Sequence, residues 1–303
     1  MTFDPIALGA TLYVPATRDD IAPILAGTRH PDLRSVVLCL EDSIRADESA
    51  FALRRLEALL SGLGTRQRGP ALFVRPRNAT MLEEISGFAG IDAVTGFVLP
   101  KATADSMADY LAALAAAHDH HLLMPTLETR EAFDGHEMRR LRDLLMAVQD
   151  RVLALRIGGN DLMQTLGARR SGCRTIYEGP LGPTIATLVA TFAPWGFALT
   201  APVFERFDDP ALLREEVERD IEHGLIAKTA IHPAQIAVIH AAYAVPQRDL
   251  VEARAILDRQ ARAVFATAGG MTEPATHRGW AERIVRRADH FGIVPAPDAA
   301  RSA

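Results

Sequence analysis

Eight short apolar runs recur along the chain, at residues 11–14, 35–40, 71–75, 96–99, 122–127, 152–157, 197–200 and 229–231. Longer amphipathic stretches lie between them. Residues 47–60 carry their apolar side chains on one stripe, 103–117 are rich in Ala and Leu, 136–148 alternate Leu and Met with Arg, and 210–223 place acidic residues near the start. Strand-length runs alternating with helix-length stretches are the pattern of a parallel α/β fold. Eight strand–helix units predict a closed (β/α)8 barrel, the TIM-barrel architecture, rather than an open sheet, and 303 residues suffice for one such domain. Past Val245 the pattern changes to two helical stretches, 249–265 and 274–290, around a glycine turn at Gly269 and Gly270, with a loose tail from Pro295 to Ala303. The expected organisation is a barrel over residues 1–245 and a C-terminal helical extension over 246–303.

The polar residues fall in a regular place. Barrel enzymes build their sites at the C-terminal ends of the strands. Here the first run leads to Pro15 and Arg18, the second to Glu41 and Asp42, the third to Arg75 and the fourth to Lys101. The fifth leads to Glu128, the sixth to Gly159, Asn160 and Asp161, and the eighth to His232. Glu128 and Asp161, from adjacent strands, offer oxygen ligands to a hard cation such as Mg²⁺, with Mn²⁺ as an alternative, and leave positions open for water and substrate. No Cys is near and no His lies in either motif, as a softer metal would ask. Arg75, Lys101 and Arg18 add positive charge for a carboxylate, an enolate or a phosphate, and the planar fork of Arg matches the first of these. Glu41 and Asp42 could orient that Arg or accept from metal-bound water. A metal with cations around a developing enolate stabilises a carbanion next to a carboxylate or thioester. The alternative is that these charges are ion pairs closing the top of the barrel.

Other classes are disfavoured. Net charge is −5 with basic and acidic residues interleaved, which is no footprint for nucleic acid. The longest apolar runs, such as 111–117, are too short to span a bilayer, and the start, with Asp4 and Pro5, does not read as a signal peptide. Cys39 and Cys173 are too few for a disulfide framework, so a cytoplasmic setting is expected.

Several segments then occur in order: Leu12-Tyr13-Val14-Pro15-Ala16-Thr17-Arg18, Leu40-Glu41-Asp42-Ser43-Ile44, Val74-Arg75-Pro76-Arg77-Asn78 and Leu99-Pro100-Lys101. Leu127-Glu128-Thr129, Ile157-Gly158-Gly159-Asn160-Asp161-Leu162 and Ile231-His232-Pro233-Ala234-Gln235-Ile236 follow. Over residues 10–290 this series resembles the citrate lyase β-subunit and malyl-CoA lyase superfamily, also called the HpcH/HpaI aldolases. The stretches 175–183 and 271–277 are most similar to a branch described as a TIM-barrel C–C bond lyase, found beside stress-response, tellurite-resistance-type gene clusters.

The resemblance implies a Mg²⁺-dependent lyase or aldolase acting on a 3-hydroxy acid or its CoA thioester. It implies that Glu128 and Asp161 bind the metal, that Arg75 holds the substrate and steadies the enolate, and that Glu41 and Asp42 support Arg75 and the metal waters. Arg18, Lys101, Gly159 and His232 are the further substrate-binding candidates. It also implies a homotrimer or hexamer whose C-terminal segment reaches over a neighbouring barrel to supply an acidic residue, for which Glu273 stands at about the right position. Two departures bear on the substrate. The family's usual Pro-Gly-Asn-Arg is Pro15-Ala16-Thr17-Arg18 here, and Pro76 and Arg77 bring another cation towards the site, so a phosphorylated or nucleotide-like substrate stands beside a CoA thioester. Two other functions stay open: a related enolate reaction (thioester hydrolysis, or a condensation in nucleoside-like biosynthesis), and a non-catalytic partner that keeps the fold.

Weaker signals read as structure. Ala227-Lys228-Thr229 after Gly224 lacks the second glycine of a phosphate loop. His118, His120 and His121 follow a helix C-terminus, and Cys39 is a small core residue. Gly158-Gly159 reads as a tight turn that lets the backbone approach the metal. His232-Pro233 either starts a helix or touches the ligand.

Overall fold

The computed structural model describes residues 3–64, 69–114, 120–267 and 270–295. His118, Gly269 and the tail beyond Pro295 lie outside these residues. The chain divides into two compact units, one ending at Ile239 and one starting at His240.

In the first unit β1 (Ala10–Pro15), α1 (Ile21–Leu25), β2 (Ser35–Cys39), α2 (Ser49–Leu63), β3 (Ala71–Arg75) and α3 (Ala79–Ser86) begin an alternation. It continues through β4 (Gly96–Leu99), α4 (Ala104–Leu114), β5 (Leu122–Leu127), α5 (Gly135–Met146), β6 (Leu155–Ile157) and α6 (Gly159–Thr165). It ends with α7 (Gly182–Phe192), β7 (Leu199–Thr200), α8 (Pro210–Glu222), β8 (Lys228–Ala230) and the start of α9 (Ala234–Tyr243). Each strand pairs in parallel with the next, β1 also pairs with β8, and a bridge between Ala201 and Lys228 joins the β7 and β8 segments. This is the eight-stranded barrel that the alternation predicts. Polar side chains mark several helix starts: Asn78, Asp134 and Asp209 accept from the backbone N–H groups of Met81, His136 and Leu212. Among the described residues no helix is long and apolar enough to cross a membrane.

The barrel interior changes character along the strands. Val37, Phe73, Val98, Met124 and Ala154 form an apolar core with Leu8. Successive strand side chains alternate between faces, so positions two residues further on point the same way. From Val37, Phe73, Met124 and Ala154 those positions are Cys39, Arg75, Thr126 and Arg156, and all four line one cavity. The interior is thus dry at one end and polar at the end where the loops gather.

Lys228, the first residue of β8, is fully buried and its Nζ lies 3.0 Å from Glu216 Oε1 and 2.9 Å from Asp220 Oδ2. Arg170 also pairs with Glu216, and the Tyr177 hydroxyl donates to Asp220 Oδ1 at 2.6 Å. The cluster ties β8 to α8 and to the 170–178 segment. Removing one partner of a buried pair leaves uncompensated charge. Lys228→Met should therefore lower unfolding free energy by about 3–5 kcal/mol, read by chemical denaturation. A loss under about 1 kcal/mol would mean that the carboxylates accept protons or water without penalty.

The second unit holds β9 (Val245–Pro246), α10 (Gln247–Leu257), β10 (Phe265–Thr267), β11 (Gly270–Thr272), α11 (Pro274–Phe291) and β12 (Ile293–Val294). Leu250, Ala253 and Ile256 of α10 pack on Ala281, Ile284 and Ala288 of α11. The helix expected over 249–265 stops at Leu257, where Asp258 turns the chain by accepting from the Gln260 N–H. Residues 265–267 instead pair antiparallel with 270–272.

Candidate active site

A cavity of about 460 Å³ opens at the C-terminal ends of the strands, lined by Asp42, Arg75, Glu128, Gly158, Gly159 and Asp161 among others. Arg75 ends β3 and is buried. Its Nη2 lies 2.8 Å from Glu41 Oε2, 2.8 Å from Glu128 Oε1 and 3.7 Å from Asp42 Oδ2. Burial opposes its charge, but Glu128 and Glu41 outweigh it and hold the guanidinium above its ordinary value. Glu41 is itself buried, with Oε1 2.5 Å from Lys101 Nζ and Oε2 accepting from the Asp42 N–H.

Lys101 joins the ring from both ends. Its backbone N–H donates to Glu128 Oε1 at 2.9 Å while its ammonium meets Glu41. That aim requires φ of +51°, the only left-handed non-glycine residue among those described. Ser106 Oγ donates to Lys101 O, and the Tyr110 hydroxyl donates to Pro100 O, which hold the turn.

Two of the carboxylates facing the cavity, Glu128 and Asp161, are pushed towards neutrality. Burial raises Glu128 to about 7, Arg75 opposes the rise, and Asp161 adds to it. Asp161, in the first turn of α6, is also raised, by burial and then by Asp42. Asp161 forms no ion pair, and Glu128 Oε2 no hydrogen bond, among the described residues. Glu128 Oε2 and the Asp161 carboxylate, which meets its own backbone N–H, are a fitting donor set for a hard divalent ion, which takes two carboxylates and completes its shell with water and substrate. No group of three His, Cys, Asp or Glu poised to hold a metal by themselves occurs among the described residues.

Gly158 makes room for this arrangement. A Cβ there would lie 2.3 Å from Glu128 Cβ and 2.5 Å from Glu128 Oε2, so the requirement is space and not a special turn. Gly158→Ala should cost about 1–3 kcal/mol, the scale of overpacking. Equal denaturation midpoints for variant and wild type would show that the wall yields freely.

Within the first unit, Arg18, Arg77 and His232 do not line the cavity. Arg18 is turned to Asp20, with bonds of 2.7 and 2.6 Å. His232 is exposed and stacks on Phe207 at 4.8 Å, while its Nδ1 accepts from the Ala234 N–H. Gln235 of the same motif is structural: it accepts from the Ile231 N–H and donates to Phe204 O. Arg77 donates to the carbonyls of Glu41 and Ile44, so it fixes the loop after β2 rather than adding a cation to the cavity. Glu273 belongs to the second unit and stands just before α11, where its side chain makes no capping bond. Several lining residues were not foreseen, among them Tyr13, Thr126, Thr229 and, in the middle of β6, Arg156. The signal for Arg156 is a lone cation inside an apolar run.

A family model described as a C–C bond lyase of the TIM-barrel fold matches residues 2–293. A (3S)-malyl-CoA thioesterase from Cereibacter sphaeroides is 27% identical over 238 residues, 77% of this chain and 76% of that protein. A citrate lyase subunit β-like protein from Deinococcus radiodurans is 26% identical over 269 residues, 87% of this chain and 89% of that one. Among solved structures, CitE from Mycobacterium tuberculosis, in complex with magnesium, acetoacetate and coenzyme A, superposes with a TM-score of 0.68 at 24% identity over 94% of this chain and 99% of its own. A citrate lyase from Burkholderia xenovorans gives 0.72 at 18% identity and 99% coverage of both chains. At these identities the solved structures share the fold.

Proposed function

Because the chain belongs to the family of C–C bond lyases of the TIM-barrel fold, we propose that it is a cytoplasmic, Mg²⁺-dependent carbon–carbon lyase that cleaves a 3-hydroxy acid or its CoA thioester. The observation that carries this reading is the pair Glu128 and Asp161, which line the same cavity as Arg75, Asp161 without an ion pair among the described residues. A bound Mg²⁺, held by these two, would supply Lewis-acid polarisation of a substrate oxygen. Cleavage takes the proton from the 3-hydroxyl, breaks the C2–C3 bond and leaves its electron pair on the C2 fragment as an enolate, which is then protonated. Arg75 faces that developing charge with a rigid fork. Glu41 and Asp42 keep the fork in place, and Lys101 balances Glu41. In this reading residues 246–303 reach a neighbouring barrel in a trimer or hexamer, and Glu273 supplies the acidic group that exchanges the proton.

Titration calorimetry with Mg²⁺ and Mn²⁺, with and without oxaloacetate, pyruvate or glyoxylate, tests the metal. Product analysis with 3-hydroxyacyl thioesters tests the reaction, and two carbon fragments are expected. Free CoA with an intact hydroxy acid would favour a second reading, thioester hydrolysis, to which the name of the Cereibacter relative points. Binding of neither ion would leave a partner protein that keeps the fold. A monodisperse monomer in light scattering at micromolar concentration would remove the assembly.

A further inference from the structure

The inner end of the cavity is built for an anion. Arg156 is 2% exposed and lines the cavity, yet it forms no ion pair among the described residues. Its Nη2 donates to Thr229 Oγ1, its Nη1 lies 3.8 Å from the Met124 sulfur, and its guanidinium carbon is 5.2 Å from the centroid of the Tyr13 ring. The buried cations Arg75, Arg170 and Lys228 each meet a carboxylate. A guanidinium stays charged, and burying it without a counter-charge is unfavourable, which an aromatic face offsets only in part. Five N–H donors are available, and the Thr229 hydroxyl, the Met124 sulfur and the Tyr13 hydroxyl take three, which leaves two.

The strands on either side complete the picture. Thr126 of β5 and Thr200 of β7 are the register partners of Arg156, so all three side chains project from the same face of the wall. Both threonine hydroxyls are buried without a hydrogen-bond partner. A single uncompensated cation is thus flanked, strand by strand, by two unused hydroxyls, and no carboxylate lies in the row. Glu128 follows Thr126 by two residues, which is about 6.5 Å of strand rise. That is the reach of a four- or five-carbon chain.

We propose that the Thr126–Arg156–Thr200 row receives a second carboxylate of the substrate and selects for a dicarboxylic acid. The proposal rests on the reading of Glu128 and Asp161 as the metal site, which would hold the other end of the same molecule. The guanidinium gives two parallel hydrogen bonds to the distal carboxylate, and Thr126, which lines the cavity beside it, gives one.

The test compares L-malate with L-lactate, which differ only in the distal carboxylate, by calorimetry at saturating Mg²⁺. Wild type should bind malate about 30-fold more tightly, the scale of charged hydrogen bonds. Arg156→Met should bring the two acids within about threefold of each other and leave Mg²⁺ affinity unmoved. Equal binding of both acids by wild type, or an equal loss of both in the variant, would overturn the proposal. Should Arg156→Met fail to fold, Thr126→Val, which removes only a hydroxyl, should still shrink the preference about fivefold, on the order of one lost hydrogen bond. An unchanged ratio there would count against the row. The two failures separate cleanly. Mg²⁺ titrated alone reads the metal site, whereas the same acid pair titrated in EDTA reads the row: a malate preference supports it and no preference overturns it.

Discussion

Asp161→Asn should abolish Mg²⁺ binding and turnover while leaving the fold intact. Asp161 faces the cavity from the first turn of α6 and has no ion-pair partner, so removing its charge strands no cation. Its asparagine keeps the shape and one oxygen but loses the charge that attracts a hard ion. The dissociation constant for Mg²⁺ should rise by about 100-fold or more, roughly 2.7 kcal/mol or above. Glu128→Gln should lose the ion as well, but with a fall in melting temperature, because Arg75 and the Lys101 N–H both lean on Glu128 Oε1. Protons compete for the same group. Burial raises Glu128 to about 7, so its neutral form dominates below that pH and cannot hold the ion. Mg²⁺ affinity should therefore climb as pH rises towards 7 and level off above it, and Glu128→Gln should erase that climb. Retained affinity in Asp161→Asn, with the wild-type pH profile, would place the metal elsewhere or nowhere.

Arg75→Lys should lower the rate by about two orders of magnitude or more, the cost of losing a preorganised donor at a developing charge. The substitution keeps a cation, so the buried carboxylates stay compensated and the melting temperature should hold within a few degrees. What it removes is shape. The Arg75 Nη2 reaches Glu41 and Glu128 at once, and its buried Nε has no hydrogen-bond partner. An ammonium on a flexible stem cannot span both carboxylates and still present a second, parallel donor to a substrate. Single-turnover kinetics at saturating metal would measure the loss. Near wild-type rates would make Arg75 a structural residue that only fastens the two carboxylates.

Much of the first unit could be read directly. Residues 71–75, 96–99 and 122–127 were legible to their ends because each apolar run stops at a residue that marks the mouth, or just before one: Arg75, Pro100 and Glu128. The sixth and seventh runs were read too long. Val152 only bridges to Leu123, and pairing in β7 begins at Leu199, since apolar composition does not say where backbone pairing starts. Beyond Leu257 local signals misled: apolar spacing continued to Phe265, but Phe265–Thr267 found a strand partner in Gly270–Thr272. At the site, the end-of-strand rule located Glu41, Arg75 and Glu128, yet could not tell that Arg18 turns to Asp20 or that Arg77 serves a loop. Arg156 escaped for the opposite reason. It lies inside a strand, and a search for chemistry at strand ends passes over it. Alternation alone puts 154, 156 and 158 on one face, and a cation between Ala154 and Gly158 there has nowhere to go but the barrel interior.

The backbone of Lys101 shows what this site demands of the fold. Glycine would adopt φ of +51° without strain, whereas a residue with a Cβ gives up about 1 kcal/mol to sit there. Glycine would keep the N–H that reaches Glu128, but it would leave Glu41 without its ammonium. At this position the backbone preference and the ion pair with Glu41 pull in opposite directions, and the chain keeps the ion pair. A search for stabilising substitutions would choose position 101 early and, in accepting glycine, would dismantle the ring of charges around Arg75.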